Sequence, residues 1–189
     1  MAENSLLIAS YREKAVSKCF YKEYSSAIYF YKKILLLKPT NNTKIEIIKE
    51  LIGINFYLEK FHEVIFLTKD LMKLKKHSDY DFIFLGFSYL KLKKFKKAEY
   101  WLNRIFIEGH PEFCAKYIGL TLLMDQLDKF EKSIYYFGQF IEVGELRGQN
   151  FKIMHIDLGN HQYLQINLAK ELSSTLKYLI YLSFDFSFN

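Results

Sequence analysis

At 189 residues, with half of them hydrophobic and a quarter charged, the chain is long enough to bury roughly 70% of its extended surface in one domain or a short repeat array. Eight glycines and two prolines exclude a collagen-like fibre, a loop-rich scaffold and a disordered tail. The net charge of +6 comes from lysine, 24 of the 27 cations, in a chain also rich in Ile, Phe, Tyr and Asn. That bias fits an AT-rich coding sequence, so neither the charge nor the aromatic content carries functional weight alone.

The N-terminus lacks a basic segment, and its short apolar stretch ends at Tyr11-Arg-Glu-Lys, which predicts no secretory leader. The apolar run from Tyr178 to Phe184 is far below the roughly 20 residues of a membrane helix. Cys19 and Cys114 lie 95 residues apart without a CxxC and read as reduced packing thiols. A cytoplasmic, reducing location without a membrane span is the expectation.

In chain order, one pattern recurs four times. Each occurrence sets a short polar turn before an aromatic residue and a small or β-branched residue three positions on: Tyr24/Ala27, Phe61/Val64, Phe95/Ala98 and Phe130/Ser133. The aromatics are spaced by 37, 34 and 35 residues, a period that signals stacked repeats. Behind them run helical stripes: Ala27/Tyr31/Ile34/Leu37, Val64/Thr68/Leu71/Leu74, Ala98/Leu102/Ile105 and Ser133/Phe137/Phe140/Val143. Pro39 and Pro111 fall beyond the first and third of these helices, where a residue without an N–H stops a helix.

A first helix precedes each turn. The third reads Phe82-x-x-Leu85-Gly86-x-x-Tyr89, with Gly86 expected to admit Ala98 closely. The fourth keeps Tyr117 and Leu120 but carries Thr121 and Ser133 at the small positions, the second has Asn55 in place of Tyr, and the first is weak, with Lys14 and Lys18 at apolar positions. After Gly148 the helical period lapses, and Tyr163/Ile166/Leu168/Leu172/Leu176/Leu179 predict one more amphipathic helix.

These residues resemble the tetratricopeptide repeat, whose pattern is a bulky residue, Leu-Gly, Tyr, an aromatic, Ala and Pro. The resemblance covers about residues 8 to 147, as units 8–41, 45–78, 79–112 and 114–147. It implies an all-α, right-handed solenoid of four helical hairpins, with 148–189 as linker and C-terminal capping helix. It also implies that the first helices line a groove.

Groove positions map to Arg12, Val16, Cys19 and Phe20; to Lys49, Gly53, Phe56 and Tyr57; to Tyr80, Ile83, Phe84, Phe87 and Lys91; and to Ile118, Leu122, Asp125 and Gln126. The residues expected to bind are Arg12, Lys49, Phe56, Tyr57, Tyr80, Ile83, Phe84, Phe87, Ile118 and Leu122. Such a surface suits an apolar peptide or helix, steered by a basic exterior towards acidic partners. Coverage by the chain's own Leu6 to Ile8 or C-terminal helix is the competing reading, and self-association is a further one.

No catalytic constellation is present. There is no phosphate loop, HExxH or GxSxG, and His62, His77, His110, His155 and His161 are scattered. No enzyme activity, cofactor or metal is therefore expected. Nine lysines between Lys69 and Lys97 read as a solvated face, since arginine for phosphate is almost absent; nucleic acid is disfavoured. The Lys, Asn and Arg set that clamps acidic chaperone tails in some repeat domains has no match at Arg12, Val16, Glu50, Tyr80 and Phe84. The expected function is a non-catalytic adaptor or scaffold. A secretion-chaperone-like holder of unfolded partners and a structural subunit of a larger assembly are the alternatives.

Overall fold

The computed structural model describes residues 2–75, 78–106, 111–143, 153–157 and 163–184. The chain divides into two compact bodies, Met1–His77 and Ser78–Asn189.

The N-terminal body holds α1 (Ala2–Phe20), α2 (Tyr24–Leu36), α3 (Asn41–Tyr57) and α4 (Phe61–Leu74). Each consecutive pair is a hairpin, and α2 packs against α3. Its core gathers Ala15, Ala27, Tyr31, Ile34, Ile47, Leu51 and Ile54. The weak first helix forms fully and begins before residue 8. Its awkward lysines are accommodated at the edge: Lys18 pairs with Glu23 at 2.7 Å across the turn, and the Lys14 ammonium lies 6.0 Å from the Phe30 ring. Thr40 caps α3 by accepting from the Thr43 N–H at 3.3 Å. Asn55 substitutes for Tyr by donating to the Leu51 carbonyl at 2.7 Å, so its buried amide stays hydrogen-bonded.

The C-terminal body holds α5 (Asp79–Lys91), α6 (Phe95–Leu102), α7 (Pro111–Asp125) and α8 (Phe130–Val143), then β1 (Ile153–Asp157), β2 (Tyr163–Asn167), α9 (Leu168–Glu171) and α10 (Ser174–Phe184). Strands β1 and β2 pair antiparallel, with Ile153 opposite Asn167 and Asp157 opposite Tyr163. The capping helix thus starts later than expected: Tyr163 and Ile166 lie on β2, whereas Leu168, Leu172 and Leu176 are buried on and beside α9 and α10. The stripe merged a strand with a helix because Tyr163 and Ile166, three residues apart, match the helical period, whereas the strand's own alternation is Leu164 and Ile166, continued by Leu168.

The four hairpins share one turn. Lys22, Glu59, Lys93 and Asp128 take the left-handed conformation, with φ of 59°, 57°, 55° and 55°. The N–H of the next residue reaches back to the carbonyl five residues earlier: Glu23 to Lys18, Lys60 to Asn55, Lys94 to Tyr89 and Lys129 to Met124. This is the Schellman closure of a helix end. The residue two positions beyond each left-handed one is the recurrent aromatic.

The small positions then meet the partner helix. Ala27, Val64, Ala98 and Ser133 are all fully buried. In the fourth hairpin the expected glycine and alanine are replaced by a hydrogen-bonded pair, the Ser133 hydroxyl donating to the Thr121 carbonyl at 2.7 Å.

Gly86 meets Leu102 rather than Ala98. A Cβ on Gly86 would lie 2.7 Å from Leu102 Cδ2 and 2.8 Å from its Cγ, and a Cβ on Gly119 would also lie 2.7 Å from that Cδ2. Leu102 is therefore seated between two bare helix backbones, which joins α5, α6 and α7. Pro111 also differs from expectation: α6 stops at Leu102, and Pro111 opens α7, the first-turn position where its missing N–H costs nothing. Between them the Phe106 N–H donates to buried Asp79 at 3.0 Å. Replacing Gly86 with Leu overpacks this seam and is expected to lower stability by about 1–3 kcal/mol, measured by urea denaturation followed by circular dichroism.

Candidate functional site

The repeat register makes the first-helix positions comparable along the chain. Arg12, Lys49, Ile83 and Ile118 are equivalent, as are Val16, Gly53, Phe87 and Leu122, and the next helical turn brings Phe20, Tyr57, Lys91 and Gln126. The chemistry changes between the two bodies, and the exposure changes with it.

In the N-terminal body the face is open. Val16 is 54% exposed, Phe20 80% and Tyr57 61%. The Phe20 ring meets Tyr21 edge-on at 5.3 Å, and Tyr57 rests on Tyr24 at 4.9 Å. Arg12 bridges α1 to α3 by pairing with Glu46 at 2.9 Å, with both side chains about half exposed, a geometry that contributes at most about 1 kcal/mol. Lys49 is half-buried, and so is Phe56, whose ring sits 5.6 Å from Phe61. Positions 12, 16 and 20 lie four residues apart on α1, as do 49, 53 and 57 on α3, so each set forms one stripe.

In the C-terminal body the equivalent residues are closed off. Ile83 and Ile118 are 0% exposed, Phe87 1%, Leu122 2% and Phe84 7%, while Tyr80 is half-buried. The exposure expected of Ile83, Phe84, Phe87, Ile118 and Leu122 is not found, for physical reasons that the packing shows. Phe87 turns into the seam between α5 and α7, its ring 3.2 Å from where a Gly119 Cβ would be. Strand β1 packs on α7, α9 on β1 and α10 on α8. Asp125, also a groove position by sequence, is buried and accepts from the Ser173 N–H at 2.7 Å and the Ser173 hydroxyl at 2.6 Å. Lys91 pairs with Glu171 on α9.

Beneath the open face, Cys19 is a half-buried free thiol. Burial first, and then the Glu50 charge, push its pKa up, while a hydrogen bond from Tyr31 pulls it down. Burial likewise pushes the Tyr31 phenol up, with Glu50 and Cys19 adding to the effect. These groups stay protonated at neutral pH, which suits packing and opposes nucleophilic reactivity. No cluster of three His, Cys, Asp or Glu among the described residues could hold a metal, and none of the described helices is long and apolar enough to cross a membrane. His77, His110 and His161 lie outside the described residues, as do the side chains of Cys114 and His155.

Sequence reasoning passed over two features. Asp79 and Asp125 are buried carboxylates that tie distant segments together; nothing in the local pattern marks them, since their donors are 27 and 48 residues away. The second feature was readable. Tyr29, Phe66, Tyr100 and Tyr135 stand five residues after each recurrent aromatic, and all are more than half exposed. Every second helix thus carries one outward ring, with Lys33 at 5.3 Å from Tyr29 and Arg104 at 5.3 Å from Tyr100.

No family model matches the chain, and no curated protein matches it. Among solved structures, the crystal structure of MamA protein aligns with a TM-score of 0.64 at 21% identity, covering 77% of this chain and 75% of that one. The fold is tetratricopeptide-like. Among the described residues, β1 and β2 interrupt an otherwise helical pattern before α9 and α10.

With Cys114 replaced by Ser, Cys19 is expected to react with iodoacetamide at neutral pH more slowly than a free thiol, because its raised pKa reduces the thiolate fraction. The rate should rise towards the free-thiol value on unfolding in urea. A native rate at or above that value contradicts the assignment.

Proposed function

We propose that the chain is a non-catalytic protein-interaction module, an adaptor or scaffold, whose binding face is the exposed stripe on α1 and α3. The observation that carries this reading is the alignment of Val16, Phe20 and Tyr57, all open to solvent, in repeat register with Arg12 and Lys49. Isolated exposed apolar residues are ordinary, but a register-matched group on adjacent helices supports docking of an apolar segment. Arg12 and Lys49 at its border favour a partner that carries acidic residues beside its apolar anchors.

The buried set Ile83, Phe84, Phe87, Ile118 and Leu122 has a different place in this reading: it supports the C-terminal body's own packing, and the first partner contacts fall on Arg12, Lys49, Phe56 and Tyr57, extended by Val16 and Phe20. A reducing, cytoplasmic setting, with Cys19 as a packing thiol, belongs to this reading. No cofactor or metal is required.

The test is affinity capture with the tagged chain and with a Phe20→Ala/Tyr57→Ala variant, at two salt concentrations. Truncation of each anchoring ring should weaken binding by about 1–2 kcal/mol and leave helicity intact, because neither ring is in the core. A protein retained by the wild type at high salt and lost by the variant supports the reading. Salt-sensitive nucleic acid on both baits overturns it.

A further inference from the structure

The C-terminal body contains something lying where the repeat register places a ligand face. Ile118 and Leu122 are equivalent to exposed or half-exposed positions on α1 and α3, yet they are fully buried on α7, the helix against which β1 packs. The covering segment runs from β1 through β2 and α9 to α10. Two polar contacts hold it. Asp125 receives both the N–H and the hydroxyl of Ser173, and Ser173 in turn caps α10 by accepting from the Leu176 N–H at 3.1 Å. Lys91 pairs with Glu171, at side-chain exposures of 32% and 25%, which leaves water able to compete.

We propose that β1, β2, α9 and α10 together are an intramolecular occupant of the first-helix face that α7 presents, latched by Asp125–Ser173 and Lys91–Glu171, and that their release opens α7 to a protein segment in trans. The occupant is named by the structure. It packs one strand on α7 and one helix on α8, and its fixed points, Glu171 and Ser173, are polar groups at the C-terminal end of α9. The same positions carry Arg12, Val16, Lys49 and Gly53 on α1 and α3, and Ile118 and Leu122 on α7, the first helix against which β1 packs. Charge or smallness at these sites goes with an open face, and large apolar side chains go with a covered one, as burial of apolar surface requires. The inference stands apart from the reading of α1 and α3: its receptor surface, occupant and test share no residue with that face.

The experiment uses the full chain and a fluorescein-labelled synthetic peptide of residues 153–184. Glu171→Ala and Ser173→Ala weaken the segment in cis and leave the receptor groups Lys91 and Asp125 intact, so a wild-type peptide can still use them. The double variant is expected to bind the peptide at least about tenfold more tightly than the wild-type chain, whose face is occupied. A peptide carrying the same two substitutions should bind neither chain. Amide exchange across residues 115–125 should rise in the variant and fall again when the peptide is added, while residues 45–74 stay unchanged. Glu171→Ala alone, which keeps the Ser173 cap, should show the same direction with smaller size and guards against misfolding of the double variant. Equal affinity of the peptide for wild type and variants, or no binding by either variant, overturns the proposal.

Discussion

The shared hairpin turn is the constraint on which the rest depends. A left-handed residue closes each first helix, its neighbour's N–H satisfies a carbonyl five residues back, and the second helix starts from a fixed direction. None of the four residues is glycine, so each accepts the roughly 1–2 kcal/mol of the left-handed conformation for an L-residue. Because the turn is the same four times, the aromatic two positions on and the small residue three further fall at the same place in every hairpin. Ala27, Val64, Ala98 and Ser133 can then be fully buried against the partner helix, and register becomes a property of the whole array.

Register in turn fixes which side chains share a face, and the chemistry at that face differs between the bodies. The N-terminal body presents Arg12, Val16, Phe20 and Tyr57 to solvent, with Lys49 half-buried beside them. The C-terminal body places Ile and Phe at the matching positions and covers α7 with its own chain. The same hairpin thus carries an exposed first-helix stripe in one body and a buried one in the other. Asp125, which receives Ser173 of the covering segment, is buried and hydrogen-bonded, as an interior carboxylate must be.

Much of the scaffold was legible in the sequence because repetition multiplies a weak local signal. Tyr24, Phe61, Phe95 and Phe130 at spacings near 35 residues located the hairpins, and the first three residues of each of the four stripes are buried. The turn residues themselves were invisible, since Lys22, Glu59, Lys93 and Asp128 carry no glycine signature for a left-handed backbone. The later strand was missed because Tyr163 and Ile166, three residues apart, fit a helical stripe, and the alternation of Leu164, Ile166 and Leu168 was not read. The face was readable by position and not by exposure: Phe87 sits in register with exposed Val16, yet it is buried in the seam between α5 and α7, and α7 itself is packed by β1. Such coverage depends on contacts such as Asp125 to Ser173, 48 residues apart, which no local window contains.

The central claim is that the first-helix face is open in one body and closed in the other. Hydroxyl-radical footprinting of the native full-length chain, read by mass spectrometry at individual aromatic residues, tests it most directly. The account predicts rapid oxidation of Phe20 and Tyr57 and strong protection of Phe84 and Phe87, with the difference abolished in urea. Oxidation of Phe84 and Phe87 at the rate of Phe20 in the native protein would contradict it.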